Sequence, residues 1–135
     1  MRRPPMRMAG PVLDSADPVG LAEFYERLLG WPITEREGAR PGYPPEDGWA
    51  KVRSPAGDFK LEFQYEQQYA PPAWPPVEGQ QQMMIHLDIG VADLAAGVAW
   101  ALQAGATLAE HQPQPDVRVL LDPAGHPFCL FLDQI

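Results

Sequence analysis

The sequence predicts an α/β fold of the α+β kind, built from two successive modules that each run strand, helix, strand, strand, strand. Three observations carry this. Two segments read as capped helices whose cap residues, Asp17 and Asp93, stand 76 residues apart. Two Pro-Ala-Gly turns, after Ser54 and Asp122, stand 68 residues apart. Segments of strand length fill the intervals between them. With 135 residues there is room for one ordinary domain and its core, not for two conventional ones. We therefore expect a single domain over residues 1–135, with a first module over about 9–66, a connector over 67–82 and a second module over about 83–134.

The first module opens with a strand at Val12–Ser15. Asp17 as N-cap, Pro18 in the first turn and Gly30 after the last turn then mark a helix. Leu21, Phe24, Tyr25, Leu28 and Leu29 form its apolar stripe. Strands follow at Pro32–Arg36, Trp49–Arg53 and Phe59–Tyr65, the last two joined by the Ser54-Pro-Ala-Gly turn. The second module repeats the order. A strand at Ile85–Val91 leads to a helix that starts after Asp93, ends at Gly105 and carries the stripe Leu94, Val98, Ala101 and Leu102. Strands are expected at Thr107–Gln112, Val117–Asp122 and Pro127–Asp133. The connector Glu66–Gln82 holds four prolines around Trp74, which makes it an extended, stiff spacer. Two half-domains sharing one sheet system are the expected result.

Composition narrows the function. Seventeen prolines are far above the usual ~5% of a chain, yet in place they open a helix, mark turns and stiffen the connector. The net charge is −8, and residues 67–135 hold one basic side chain, Arg118, against seven acidic ones. Such a surface repels phosphate backbones and anionic lipid, so nucleic acid and membrane surfaces are excluded as partners, and neutral or cationic small molecules are favoured. No apolar run is long enough to cross a membrane, and the Arg-rich start lacks the apolar core of a signal peptide. The single cysteine, Cys129, has no partner for an internal disulfide, which fits a reducing, cytoplasmic setting.

Aromatic walls with a few polar groups make small-molecule pockets. Trp49 and Trp74, with Tyr43 and Tyr69, are candidates for lining a cleft, against core or dimer packing as the alternative. Trp31 and Trp100 read as packing at the helices. His126 reads as a turn residue and His111 as an exposed one. No HExxH, GxSxG, P-loop, GxGxxG or CxxC pattern occurs.

Two stretches carry a family likeness. Leu13-Asp-Ser-Ala-Asp-Pro with Leu-Ala-Glu-Phe-Tyr-Glu-Arg-Leu-Leu-Gly30-Trp31, and His86-Leu-Asp-Ile-Gly-Val-Ala-Asp-Leu with Asp122-Pro-Ala-Gly-His-Pro-Phe-Cys-Leu130, resemble the paired modules of the vicinal oxygen chelate superfamily, the glyoxalase/bleomycin-resistance/dioxygenase proteins. The likeness runs from about Gly10 to Leu132. It implies a mixed sheet that curls around a cleft and, in metal-dependent members, one divalent ion held by side chains from the first and last strands of both modules. Carried over, those positions fall on His86, on Glu62 and Cys129, and on Gly10, which replaces the fourth ligand. A strict 68-residue offset would place Leu61 opposite Cys129, but matching the apolar faces pairs Glu62 with Cys129 instead.

Each candidate has a plainer reading. Cys129 in Phe-Cys-Leu-Phe is either a small buried hydrophobe or a thiolate ligand. His86 shares a strand face with Asp88, which orients the imidazole or simply pairs with it. Glu62 interrupts an apolar strand and faces water, a cavity or a partner. Glu62 and His86 are the candidate catalytic groups, and imidazole, carboxylate and thiolate suit Zn, Fe or Ni. Three functions stay open. These are a small-molecule-binding protein with a degenerate metal site, a metal-dependent lyase, isomerase or dioxygenase, and a resistance protein that sequesters a cationic aromatic drug. A homodimer is the expected assembly.

Overall fold

The computed structural model describes all of residues 1–135. The element order is β1 (Val12–Ser15), α1 (Pro18–Leu29), β2 (Ile33–Glu37), β3 (Trp49–Arg53), β4 (Lys60–Tyr65), β5 (Leu87–Val91), α2 (Leu94–Ala104), β6 (Thr107–Leu108), β7 (Val117–Leu121) and β8 (Pro127–Leu132). The strands form two four-stranded sheets, β1-β4-β3-β2 and β5-β8-β7-β6, where the sequence suggested one sheet system. In each, the first strand pairs parallel with the last and the remaining pairs are antiparallel.

Both helices start and stop where their caps dictate. Asp17 accepts from the Gly20 N–H at 3.1 Å, and Asp93 accepts from the Ala96 N–H at 2.9 Å. Gly30, at φ 70°, and Gly105, at φ 123°, close the helices by returning their N–H groups to the last turn. The two helix ends also cap each other across the modules. The Arg27 guanidinium donates twice to the Ala104 carbonyl, and the Trp100 indole donates to the Leu28 carbonyl at 3.0 Å. Trp100 is therefore a half-exposed hydrogen-bonding residue rather than the packing residue its position suggested, and Leu102, on the expected stripe, is exposed too. The rest of that stripe, Leu94, Val98 and Ala101, does face the core, and Ala104 joins it, the small alanines letting the helix lie close.

One apolar cluster serves both modules. Tyr25 stacks on Phe63 at 5.5 Å and meets the edge of Phe128 at 6.4 Å, while Phe24 contacts Phe128 at 6.2 Å. Helix α1 thus inserts its aromatics between the inner faces of both sheets. Each of these rings is fully buried, which contributes about 1.5–3 kcal/mol of transfer free energy per side chain.

Two strands depart from expectation at their ends. β5 starts at Leu87, so His86 lies just before the strand. β6 has two residues instead of six because the Gln112 side chain takes over the pairing. Its amide accepts from the Val119 N–H at 2.8 Å and donates to the Val119 and Ala109 carbonyls at 2.9 and 2.8 Å. A side-chain amide there does what a further backbone pair would have done.

Candidate functional site

Alternation along the strands gives each sheet an inner face toward the helices and an outer, open face. Leu61 and Phe63 in β4 and Phe128 and Leu130 in β8 point inward. Glu62 and Cys129 therefore point outward. Their registers match: Val12 pairs with Glu62 and Asp88 with Cys129, and Val12 and Asp88 each stand five residues before a helix cap. This bears out the pairing of Glu62 with Cys129 and the extra residue in the first turn.

On the second sheet the open face gathers three potential ligands. A His86 ring nitrogen, an Asp88 carboxylate oxygen and the Cys129 Sγ all lie within 4.8 Å of one another. His86 Nε2 sits 3.0 Å from Asp88 Oδ1, so the carboxylate holds the ring in place. Burial, and then the Asp88 charge, push the Cys129 thiol above its ordinary value, so it is a protonated thiol at neutral pH. This trio floors a groove of about 520 Å³ bordered by Asp116, Val117 and Phe131. A smaller adjoining pocket of about 250 Å³ is walled by Trp74 and Met83. Trp74 is fixed there by an indole hydrogen bond to the His111 carbonyl at 3.1 Å and by its contact with the His111 ring.

The first sheet does not mirror this. Glu62 stands on the other sheet from the trio and is paired with Lys60, 3.1 Å away, with both side chains largely buried. Gly10, at φ 126°, has the Lys60 carbonyl only 3.2 Å from where a Cβ would sit and the Lys60 stem at 3.5 Å. A side chain at Gly10 would meet both strain and the Lys60 stem, and the lysine supplies a fixed cation beside Glu62. The remaining candidates also divide. Trp49 lines a separate groove on the first sheet. Tyr43 lies exposed under the Arg40 guanidinium at 3.9 Å. Tyr69 lines a crevice beside the connector and donates its hydroxyl to the Ala124 carbonyl at 2.8 Å; burial, then the Asp122 and Asp14 charges, raise it well above the ordinary phenol range.

Sequence reasoning missed one group. The Asp122 carboxylate is fully buried and accepts from the Tyr25 hydroxyl at 2.8 Å, from His126 Nδ1 at 2.8 Å, and from the Ala124 and His126 N–H groups. Burial and the Asp122 charge raise the Tyr25 phenol far above its usual value, so it stays a donor. His126 reaches on to the Tyr69 hydroxyl at 3.2 Å. The histidine thus links the turn to the connector, beyond the hairpin role its position suggested. The signal for Asp122 was a carboxylate in a turn whose counterpart is Ser54, but its partner on α1 is 97 residues away.

The family model described as glyoxalase-like domain matches residues 11–131. The chain belongs to the glyoxalase-like family. Its place in the vicinal oxygen chelate superfamily agrees with solved structures of the same fold. A glyoxalase family protein from Enterococcus faecalis is 19% identical over 93% of this chain and 96% of that one, with a TM-score of 0.63. A glyoxalase/bleomycin resistance protein/dioxygenase family enzyme from Burkholderia phytofirmans PsJN is 17% identical over 92% and 96%, TM-score 0.62. The fosfomycin resistance protein FosX from Mesorhizobium loti is 11% identical over 96% and 93%, TM-score 0.61. These likenesses concern the fold. No curated protein matches the sequence. No helix of this glyoxalase-like chain is long and apolar enough to cross a membrane.

Proposed function

We propose that this glyoxalase-like protein binds a small organic molecule on the open face of its second sheet, with the superfamily's four-ligand metal site degenerate. The observation that carries the reading is the split between the modules. His86, Asp88 and Cys129 converge at a groove floor, while Gly10 and the Lys60–Glu62 pair occupy the corresponding half-site. The groove offers an imidazole, a carboxylate and a thiol below an indole wall. The acidic second half favours neutral or cationic aromatic ligands, including drugs of that kind. We further infer a cytoplasmic setting, from the single cysteine, and a homodimer, in which a second copy would cover Leu132, 61% exposed beside the groove. A melting-temperature screen over neutral and cationic aromatic metabolites and antibiotics tests the site. Stabilising compounds are expected to lose their effect in Trp74→Ala and His86→Ala. If no compound stabilises the protein, or those variants respond as wild type does, the reading fails.

A second reading is favoured by the ligand geometry itself. Imidazole, carboxylate and thiolate within one another's reach suit a thiophilic divalent ion such as Zn, with Fe or Ni as alternatives. Bound there, the ion would supply the Lewis acidity of a lyase, isomerase or dioxygenase; His86, Asp88 and Cys129 would hold it, and Cys129 would have to give up its proton. Cobalt(II) titration separates the two readings. A thiolate-to-cobalt absorption band that disappears in Cys129→Ala supports the metal site, and the absence of any band counts against it.

A further inference from the structure

The groove on the first sheet is made of different material and is independent of the site above. Its floor is Trp49, which lies in register between Glu37 of β2 and Gln64 of β4. Its wall is the long loop between β2 and β3, held in shape by a clasp. The Arg40 guanidinium donates to Asp47 at 2.8 and 3.1 Å, and the Arg40 N–H adds a third bond at 2.8 Å. Asp47 is only 3% exposed, so the clasp is built into the loop. Gly48 then brings the chain back against β2 so closely that a Cβ there would sit 2.8 Å from the Glu37 carbonyl. The groove of about 420 Å³ is therefore preformed and falls within the range of about 300–1,000 Å³ typical of small-molecule pockets.

The charges around the groove select its ligand. The Arg40 charge is committed to Asp47 and the Lys51 charge to Glu35 at 2.8 Å. One N–H of the Gln64 amide donates to Asp14 at 2.8 Å, which leaves the second N–H and the carbonyl oxygen for a ligand. Glu37 makes no ion pair. The groove thus presents the Trp49 indole, with the Glu35-paired Lys51 ammonium 5.6 Å from its ring centroid on one side, flanked by the Glu37 carboxylate, which has no ion pair, and the Gln64 amide. We propose that this groove is a second ligand site, specific for a planar organic cation such as an aryl-amidinium. The ring would lie on Trp49, and the amidinium would pair in a bidentate way with Glu37. An anion would be repelled by Glu37, and a neutral isostere would forgo both charge-dependent contacts.

The four tryptophan indole N–H signals make a direct test, with benzamidinium as the probe and benzamide as its uncharged isostere. The Trp49 signal, assigned by Trp49→Phe, should shift saturably with benzamidinium whether or not that of Trp74 moves, while that of Trp100 stays in place. Benzamide, and benzamidinium with Glu37→Gln, should bind at least fivefold more weakly. His86→Ala should leave the titration unchanged, which separates failure here from failure at the second sheet. A Trp49 signal that does not move, or equal affinities for the two probes or for wild type and Glu37→Gln, would overturn the proposal. So would loss of binding in His86→Ala.

Discussion

The two modules share a backbone plan and differ on their open faces. On the inner face the equivalent pairs Leu61/Phe128, Phe63/Leu130 and Val52/Leu120 are all apolar and buried. On the open face Lys51 is matched by Val119, Glu62 by Cys129 and Val12 by Asp88. The first sheet carries paired charges there, and the second carries a thiol, a carboxylate and apolar neighbours. Inner positions are tied to one shared core, so large changes are costly. Open positions are free of that constraint, and chemistry can settle in one half and leave the other.

The sharpest break in the symmetry is at the two matched turns, and it predicts the largest effect. Asp122→Ala would strand the Tyr25 hydroxyl, His126 and two backbone N–H groups in the interior, at a cost of about 3–5 kcal/mol. At the equivalent position Ser54 is also buried, but it bonds only the Asp58 side chain and the Phe59 N–H, both within its own turn. Ser54→Ala should cost only about 1 kcal/mol. Urea unfolding of both variants measures the gap, and equal losses would remove Asp122 as the tie between the modules.

That contrast also marks what the sequence can show. Caps, turn residues and alternating strands are local signals, so both helices and most strands could be read directly, as could the register that pairs Glu62 with Cys129. The Asp122–Tyr25 bond joins residues 97 apart, and nothing local announces it. The site divides in the same way. The His86–Asp88 pair is legible from its two-residue spacing, although His86 stands just ahead of β5 rather than in it. The capture of Glu62 by Lys60 and the closeness of Gly10 to Lys60 depend on where two chain segments cross. β6 fell short for a similar reason, since a side-chain amide displaced a backbone pairing that periodicity alone would have extended.

The open faces give a prediction of intermediate size. The Asp88 charge is one of the two causes that raise the Cys129 thiol. Asp88→Asn removes it and should lower the thiol's titration, so that alkylation by iodoacetamide at pH 8 speeds up by about threefold. Lys60→Met, on the opposite sheet, should leave the rate alone. A rate unaffected by Asp88→Asn would show that burial alone protects the thiol.

The loops that precede β3 and β7 are stabilised by different chemistry, and this separates them by pH. Gln112 ties down the second loop with neutral hydrogen bonds, and Gln112→Ala should cost about 1–3 kcal/mol at any pH between 3 and 8. The first loop relies on the Arg40–Asp47 clasp, and the hydrogen bonds from Arg40 hold the Asp47 carboxyl below its ordinary value. A carboxylate lowered in the folded state adds stability that is fully present above its unfolded value. That stability is lost as pH falls through the folded value. The stability gap between wild type and Arg40→Met should therefore be flat near neutrality and shrink below about pH 4. The gap for Gln112→Ala should stay level across the same range. Urea midpoints along that pH series decide it. If the Arg40→Met gap also stays level down to pH 2.5, the clasp acts through shape and packing, and the two loops are held in the same way after all.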